Sequence, residues 1–158
     1  MSAIKRFFAL ILVLVISATV AFIFYNSSLP PEQSSQQSGA VGGIIAEIIP
    51  PETELGGFIQ KYIRKIAHFT EYGLLGIELA IFCVLFTERK FLFSLRALFF
   101  AGAVALVDES IQIFSKRGPS VSDIWIDIGG YVFFSLLALA VMAVIRLICF
   151  IASKIRGY

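Results

Sequence analysis

The sequence predicts an all-α integral membrane protein with four transmembrane helices, on three observations. Its 158 residues are 58% apolar and only 15% charged, against about 25% charged residues in an ordinary soluble domain. Phe alone supplies 16 residues, and the mean hydropathy is +0.89. The apolar residues gather into four stretches, each near the ~20 residues that a helix needs to cross a bilayer. This composition excludes a secreted module, a nucleic-acid-binding domain and a metal-finger scaffold, and it makes membrane lipids the expected partners. The net charge of +2 is too small to point to any other partner.

The first stretch, Phe7 to Tyr25, is free of charge and follows Lys5-Arg6. A cleaved signal peptide has an apolar core of about 7–15 residues that ends at a small-residue cleavage site. Ala18-Thr19-Val20-Ala21 resembles such a site, but Phe22-Ile23-Phe24-Tyr25 carries the apolar run past it. Residues 1–25 therefore read as an uncleaved transmembrane anchor. From Asn26 to Ala40 the composition turns abruptly to Ser, Gln, Pro and Glu, which predicts a flexible, water-exposed linker. Ile44 to Ile49, closed by Pro50-Pro51, is too short to span and reads as an interfacial turn of helix. Residues 26–57 are thus expected to be an extracytoplasmic linker containing one short interfacial helix.

Beyond Gly56-Gly57, residues Ile59, Tyr62, Ile63 and Ile66 recur at helical spacing, with Lys61, Arg64 and Lys65 on the other face. This amphipathic turn runs into a second span, Ile66 to Phe86. The third span is Phe91 to Phe114 and the fourth Ile124 to Phe150, the last long enough to tilt or to project from the bilayer. Between them Lys116 to Ser120 form a tight polar loop, where Pro119 prevents one continuous helix and Ser122 or Asp123 caps the next. Residues 58–150 then make a three-helix transmembrane domain and 151–158 a cytoplasmic tail.

With both termini in the cytoplasm, eight Lys and Arg residues lie inside and five outside, in the sense of the positive-inside rule. Nine of the eleven acidic residues then fall at the outer side, Glu78 and Glu88 being the exceptions. Acidic residues do not set topology, so their clustering is a functional clue. Cys83 and Cys149 fall toward the cytoplasmic ends of their spans and read as packing residues rather than a disulfide.

Laid out in this way, the polar residues converge. Lys65, His68, Glu71 and Tyr72 occupy the outer end of span two, and Asp108, Glu109 and Gln112 that of span three. Lys116 and Arg117 sit in the loop, while Asp123 and Asp127 open span four. Residues three and four apart share a helix face, so Lys65, His68 and Tyr72 form one stripe, Asp108 with Gln112 another, and Asp123 with Asp127 a third. A charge at the bilayer centre costs about 2.5–3.5 kcal/mol on insertion scales, so such groups face one another or a water-filled cavity. Some of them could serve only to hold helices together, but the number of carboxylates exceeds what that task needs. Glu78, alone near mid-span, reads as protonated or paired and outside the site.

The same residues carry a family resemblance. Lys65-Ile66-Ala67-His68-Phe69-Thr70-Glu71-Tyr72 resembles the KxxHFxEY segment of the VanZ-like family, and Asp108-Glu109-Ser110-Ile111-Gln112-Ile113-Phe114 resembles its DExxQxF motif. Arg117, Ser120 and Asp123 are similar to the R-x-x-S-x-x-D that follows, and Asp127 with Gly130 to the closing N-x-x-G. Order and spacing are reproduced from Lys65 to Gly130, nearly half the chain, whereas the Ser/Gln-rich linker is not part of the resemblance. Asp127 departs from the pattern, since the family commonly has Asn there. The resemblance implies a bacterial, multi-pass plasma-membrane protein and a part in low-level resistance to the glycopeptide teicoplanin. It implies no defined molecular activity.

Two classes of function follow. In the first, an outward polar pocket of Lys65, His68, Glu71, Tyr72, Asp108, Glu109, Gln112, Arg117, Ser120, Asp123 and Asp127 binds an anionic headgroup of a polyprenyl-linked or phospholipid molecule. In the second, an intramembrane enzyme acts on a lipid-linked phosphate, with His68, Glu71, Asp108 and Glu109 as catalytic candidates. A transporter ranks third, since four spans are few unless copies assemble, and assembly into an oligomer stays open. No cofactor is expected: within the enzyme reading the clustered carboxylates could bind a divalent ion or act as acid and base, but one His gives a weak metal site, and none is assigned.

Overall fold

The computed structural model describes residues 2–118 and 120–156. Within them lie five helices and no strand: α1 (Ala3–Ser28), α2 (Pro31–Ile48), α3 (Glu54–Phe86), α4 (Lys90–Phe114) and α5 (Val121–Arg156). Of these, α1, α3, α4 and α5 are long and apolar enough to cross a membrane. Large apolar side chains such as Phe99 and Trp125 stand exposed on the outside of the bundle, as a hydrocarbon solvent requires. The amphipathic turn before span two is continuous with it in α3, and α5 stays helical to Arg156, past the expected start of a tail.

Two local expectations are corrected. The stretch read as a flexible linker is instead the helix α2, Pro31–Ile48. Pro31 occupies its first turn, where a missing N–H costs nothing, and Glu32 complements the positive end of the helix dipole. The helix is held from outside as well: Gln60 of α3 donates a hydrogen bond to the Gly42 carbonyl at 2.7 Å. Secondly, α5 starts at Val121, so Ser122 and Asp123 sit in its first turn rather than capping it. The Asp123 N–H already donates to the Ser120 carbonyl at 2.9 Å. Pro119, expected to interrupt the helix, lies outside the described residues.

α3 and α5 run parallel and make the most extensive helix pairing of the bundle. Glycine makes this approach feasible. A β-carbon at Gly76 would strike the Tyr131 backbone carbonyl, and one at Gly130 the Phe69 carbonyl, the close contact that small residues allow between membrane helices. Ser135 ties the pair by donating to the Gly76 carbonyl at 3.1 Å. α4 runs antiparallel to both and presents Ala97, Ala101, Val104 and Ala105 to a core of Tyr72, Leu75 and Leu79 from α3 and Tyr131 from α5. At the short α3–α4 connection, Phe82 and Phe93 stack with ring centroids 5.4 Å apart and planes at 18°. That end of the bundle is aromatic. The polar residues are at the other.

Candidate functional site

The site is assembled from four helix segments and one loop. α1 contributes more than an anchor, contrary to the peripheral place that its lack of a polar stripe suggests. Its buried residues Thr19, Ile23 and Ser27 recur every fourth position, which puts them on one face against α3 and α4. Thr19 donates to Glu78 Oε1 at 2.7 Å, so Glu78 is paired and outside the site. Two turns further on, Asn26 donates to Glu71 Oε1 at 2.7 Å, and the Ser27 carbonyl accepts from Ser115 Oγ at 2.9 Å.

The end of α4 positions the loop. The Arg117 N–H donates to the Gln112 carbonyl at 2.9 Å and the Lys116 N–H to the Ile113 carbonyl at 3.2 Å. Lys116 lies in the left-handed region at φ 58°. This is the Schellman helix stop, in a position usually held by glycine. It turns the chain so that Arg117 folds back over the bundle, only 8% exposed. Arg117 Nη1 donates to the Asn26 carbonyl at 3.0 Å, while its Nε has no protein partner. Burial, reinforced by the like charge of Arg64, lowers the Arg117 pKa from its ordinary value.

Beneath the loop lies a buried polar cluster. Asp108 on α4 and Asp127 on α5 are both fully buried and flank His68 of α3. His68 Nδ1 is 3.3 Å from Asp127 Oδ1 and 3.6 Å from Asp108 Oδ2. Gln112 Nε2 donates to Glu109 Oε1 at 3.0 Å and, more weakly, to Asp108 Oδ2 at 3.4 Å. Glu109 Oε2 in turn accepts the Ser120 backbone N–H at 2.7 Å. Tyr72 is fully buried beside them with its hydroxyl unpartnered. At the rim, Lys65 Nζ meets Asp123 Oδ1 at 3.1 Å, a partly exposed pair of the kind that contributes little stability.

The cavity beside this cluster is not the one expected among spans two, three and four. It lies between α1, α2 and α3, with a volume of about 620 Å³. Phe22, Tyr25, Val41, Ile45 and Ile63 give it apolar walls, and Arg64, His68, Glu71 and Arg117 supply its charged lining. A second cavity of about 540 Å³ shares Arg64 and His68 and extends to Lys65 and Asp123. The cavity shifts because α2, absent from the expected bundle, forms its outer wall. His68, Glu71, Arg117, Lys65 and Asp123 line these spaces, whereas Tyr72, Asp108, Glu109, Gln112 and Asp127 are packed behind His68. Arg64, Asn26 and Ser27 are added to the candidate residues. The four-residue spacing of Thr19, Ile23 and Ser27 was the available signal for α1, and nothing in the sequence distinguishes Arg64 from Lys61.

Four helices long and apolar enough to cross a membrane, with a buried polar cluster at one end beside a cavity of apolar walls and charged lining, define a multi-pass membrane protein. The chain belongs to the VanZ/LLP1 family, whose profile matches residues 7–146. The match takes in α1 and α2 as well as the motifs of α3 to α5, so it extends beyond the segment that carries the sequence resemblance. No curated protein and no solved structure matches the chain.

Proposed function

We propose that this protein binds the anionic headgroup of an amphiphile, a polyprenyl-linked or phospholipid phosphate, in the cavity between α1, α2 and α3. One observation carries the reading: a single cavity joins the guanidinium groups of Arg64 and Arg117 to walls of Phe22, Tyr25, Ile45 and Ile63. Two like charges held close together are relieved by an anion between them, and guanidinium groups match phosphate oxygens in pairs. Apolar walls suit the first segment of a lipid chain. In this reading the polar end faces away from the cytoplasm of a bacterial plasma membrane, with both termini inside. Holding envelope lipids there would alter the access of lipid-tailed glycopeptides of the teicoplanin type.

Purified protein in nanodiscs, analysed by native mass spectrometry, tests this. Retention of undecaprenyl phosphate or phosphatidylglycerol over phosphatidylcholine is expected, lost in Arg117→Ala and partly restored in Arg117→Lys. Equal retention of the neutral lipid, or no effect of Arg117→Ala at unchanged folding, would overturn the reading. A catalytic version rests on His68, which lines the cavity and is flanked by two carboxylates, the arrangement of an oriented base. Release of a headgroup from the same lipids, abolished in His68→Gln, distinguishes it from binding alone.

A further inference from the structure

The cluster behind His68 has a charge problem that hydrogen bonding does not solve. Asp127 is fully buried, and neither of its oxygens has a hydrogen-bond partner. Asp108 Oδ1 is buried and unpartnered as well. His68 Nδ1, which faces both carboxylates, sits 3.3 and 3.6 Å from them and makes a hydrogen bond to neither. An imidazole nitrogen carries at most one hydrogen, so it can serve one of these carboxylates and not both. A buried carboxylate that stays ionised requires pairing or a bound cation.

We propose that His68, Asp108 and Asp127 form a binding site for a divalent transition-metal ion. The distances fit one. Ligand atoms ~2.1 Å from a shared ion lie about 3.0 Å apart along an octahedral edge and about 3.4 Å apart along a tetrahedral one. The two contacts to Nδ1 are 3.3 and 3.6 Å, and the three donor atoms all lie within 4.8 Å of one another. The donor set of one imidazole nitrogen and two carboxylates suits Zn²⁺ or Mn²⁺ better than a purely oxygen-seeking ion. The frame is rigid where it matters. Gly130, one turn beyond Asp127, locks α5 onto the Phe69 carbonyl next to His68. Gln112 steadies Asp108 from the far side through its hydrogen bond to Oδ2, the kind of support that ligand carboxylates receive. Because His68 lines the cavity, the remaining coordination positions suit water or a phosphate oxygen. That last role rests on the headgroup reading, whereas the ion site stands on the geometry alone.

The test uses the full chain, freed of any affinity tag, stripped with EDTA and held in lipid-free detergent. Mn²⁺ is titrated while the free-ion signal is followed by electron paramagnetic resonance, and Zn²⁺ is then added as competitor. Saturation at one Mn²⁺ per chain, displaced by Zn²⁺ and accompanied by a rise in unfolding temperature, is expected. Asp127→Asn and Asp108→Asn should lose saturable binding, Gln112→Ala should weaken it by about 10–100-fold, and Glu78→Gln should bind as the wild type does. Absence of saturable binding by the wild type, or equal binding by folded Asp127→Asn, overturns the site. Should either Asp variant fail to fold, the wild-type stoichiometry and thermal shift decide alone. With no lipid present, a negative result here leaves the headgroup reading standing, and loss of lipid retention leaves the ion site standing.

Discussion

Adjacent glycines in α5 should respond to the same substitution with opposite signs. At Gly130 an added β-carbon runs into the Phe69 backbone carbonyl of α3, whereas at Gly129 it meets nothing within 4 Å. Alanine improves on glycine in a helix interior by about 0.8–1.0 kcal/mol, and at Gly129 that gain stands alone. At Gly130 the obstacle is backbone, which cannot rotate aside, so α5 must move off α3 by about 1 Å at an overpacking cost of about 1–3 kcal/mol. Setting the helix gain against that cost leaves Gly130→Ala about 0–2 kcal/mol less stable, or up to roughly 8 °C lower in unfolding temperature. Cys83 is buried and Cys149 exposed. In a Cys149→Ser background, a thiol-reactive dye that reports exposure of Cys83 on heating therefore follows unfolding of the bundle. Gly129→Ala should match or exceed its parent, and Gly130→Ala should fall below it. Equal unfolding temperatures for the two variants, or a more stable Gly130→Ala, would refute the close-approach argument.

Other substitutions probe separate parts of the architecture. Lys116→Gly should raise stability by up to ~1 kcal/mol, measured by the same dye assay, because it relieves a left-handed backbone without disturbing the Schellman hydrogen bonds. Thr19→Val strips Glu78 of the hydrogen bond it accepts from Thr19 and should cost about 0.5–2 kcal/mol. Adding Glu78→Leu to that variant should restore most of the loss in a double-mutant cycle, and failure to do so would mean that the pair is not energetically coupled. Lys65→Ala, at a partly exposed rim pair, should change stability by less than ~1 kcal/mol while lowering anionic-lipid retention in the nanodisc measurement.

The spans were legible because a bilayer penalises error: four charge-poor stretches of adequate length leave little choice, and α4 occupies almost the residues its hydropathy marks. The polar cluster was legible for the same reason, since Asp108 and Asp127 are conspicuous in apolar surroundings and their spacing fixes the helix face. What the sequence conceals is contact between elements. Ser- and Gln-rich residues 31–43 carry no amphipathic signal, and α2 is held against α3 by contacts such as that of Gln60 with Gly42, a pairing eighteen residues apart in the chain. With residues 26–40 read as a linker, the sequence shows no outer wall for the cavity that α2 closes. The division between residues that line the space and residues behind His68 likewise depends on the rotation of α3 against α5. Gly130 and Phe69 set that rotation jointly, and neither residue indicates it alone.

The aromatic end of the bundle gives α4 a pivot. Phe82 and Phe93 stack beside the short α3–α4 connection, and α3 is joined to α5 by close contacts at Gly73, Gly76 and Gly130. Any change in the tilt of α4 against the α3–α5 pair about that stack is therefore magnified toward the polar end. From Phe93 to Asp108 is fifteen residues, or about 22 Å along the helix axis, so a swing of only ~5° carries Asp108 by about 2 Å. That travel is enough to make or break contact between Asp108 and His68 while the rings at the hinge barely shift. Spin-label distances between α3 and α4 would register the swing at the polar end and stay constant at the aromatic one. Small angular play at a greasy joint thus becomes a decisive change of spacing among charges.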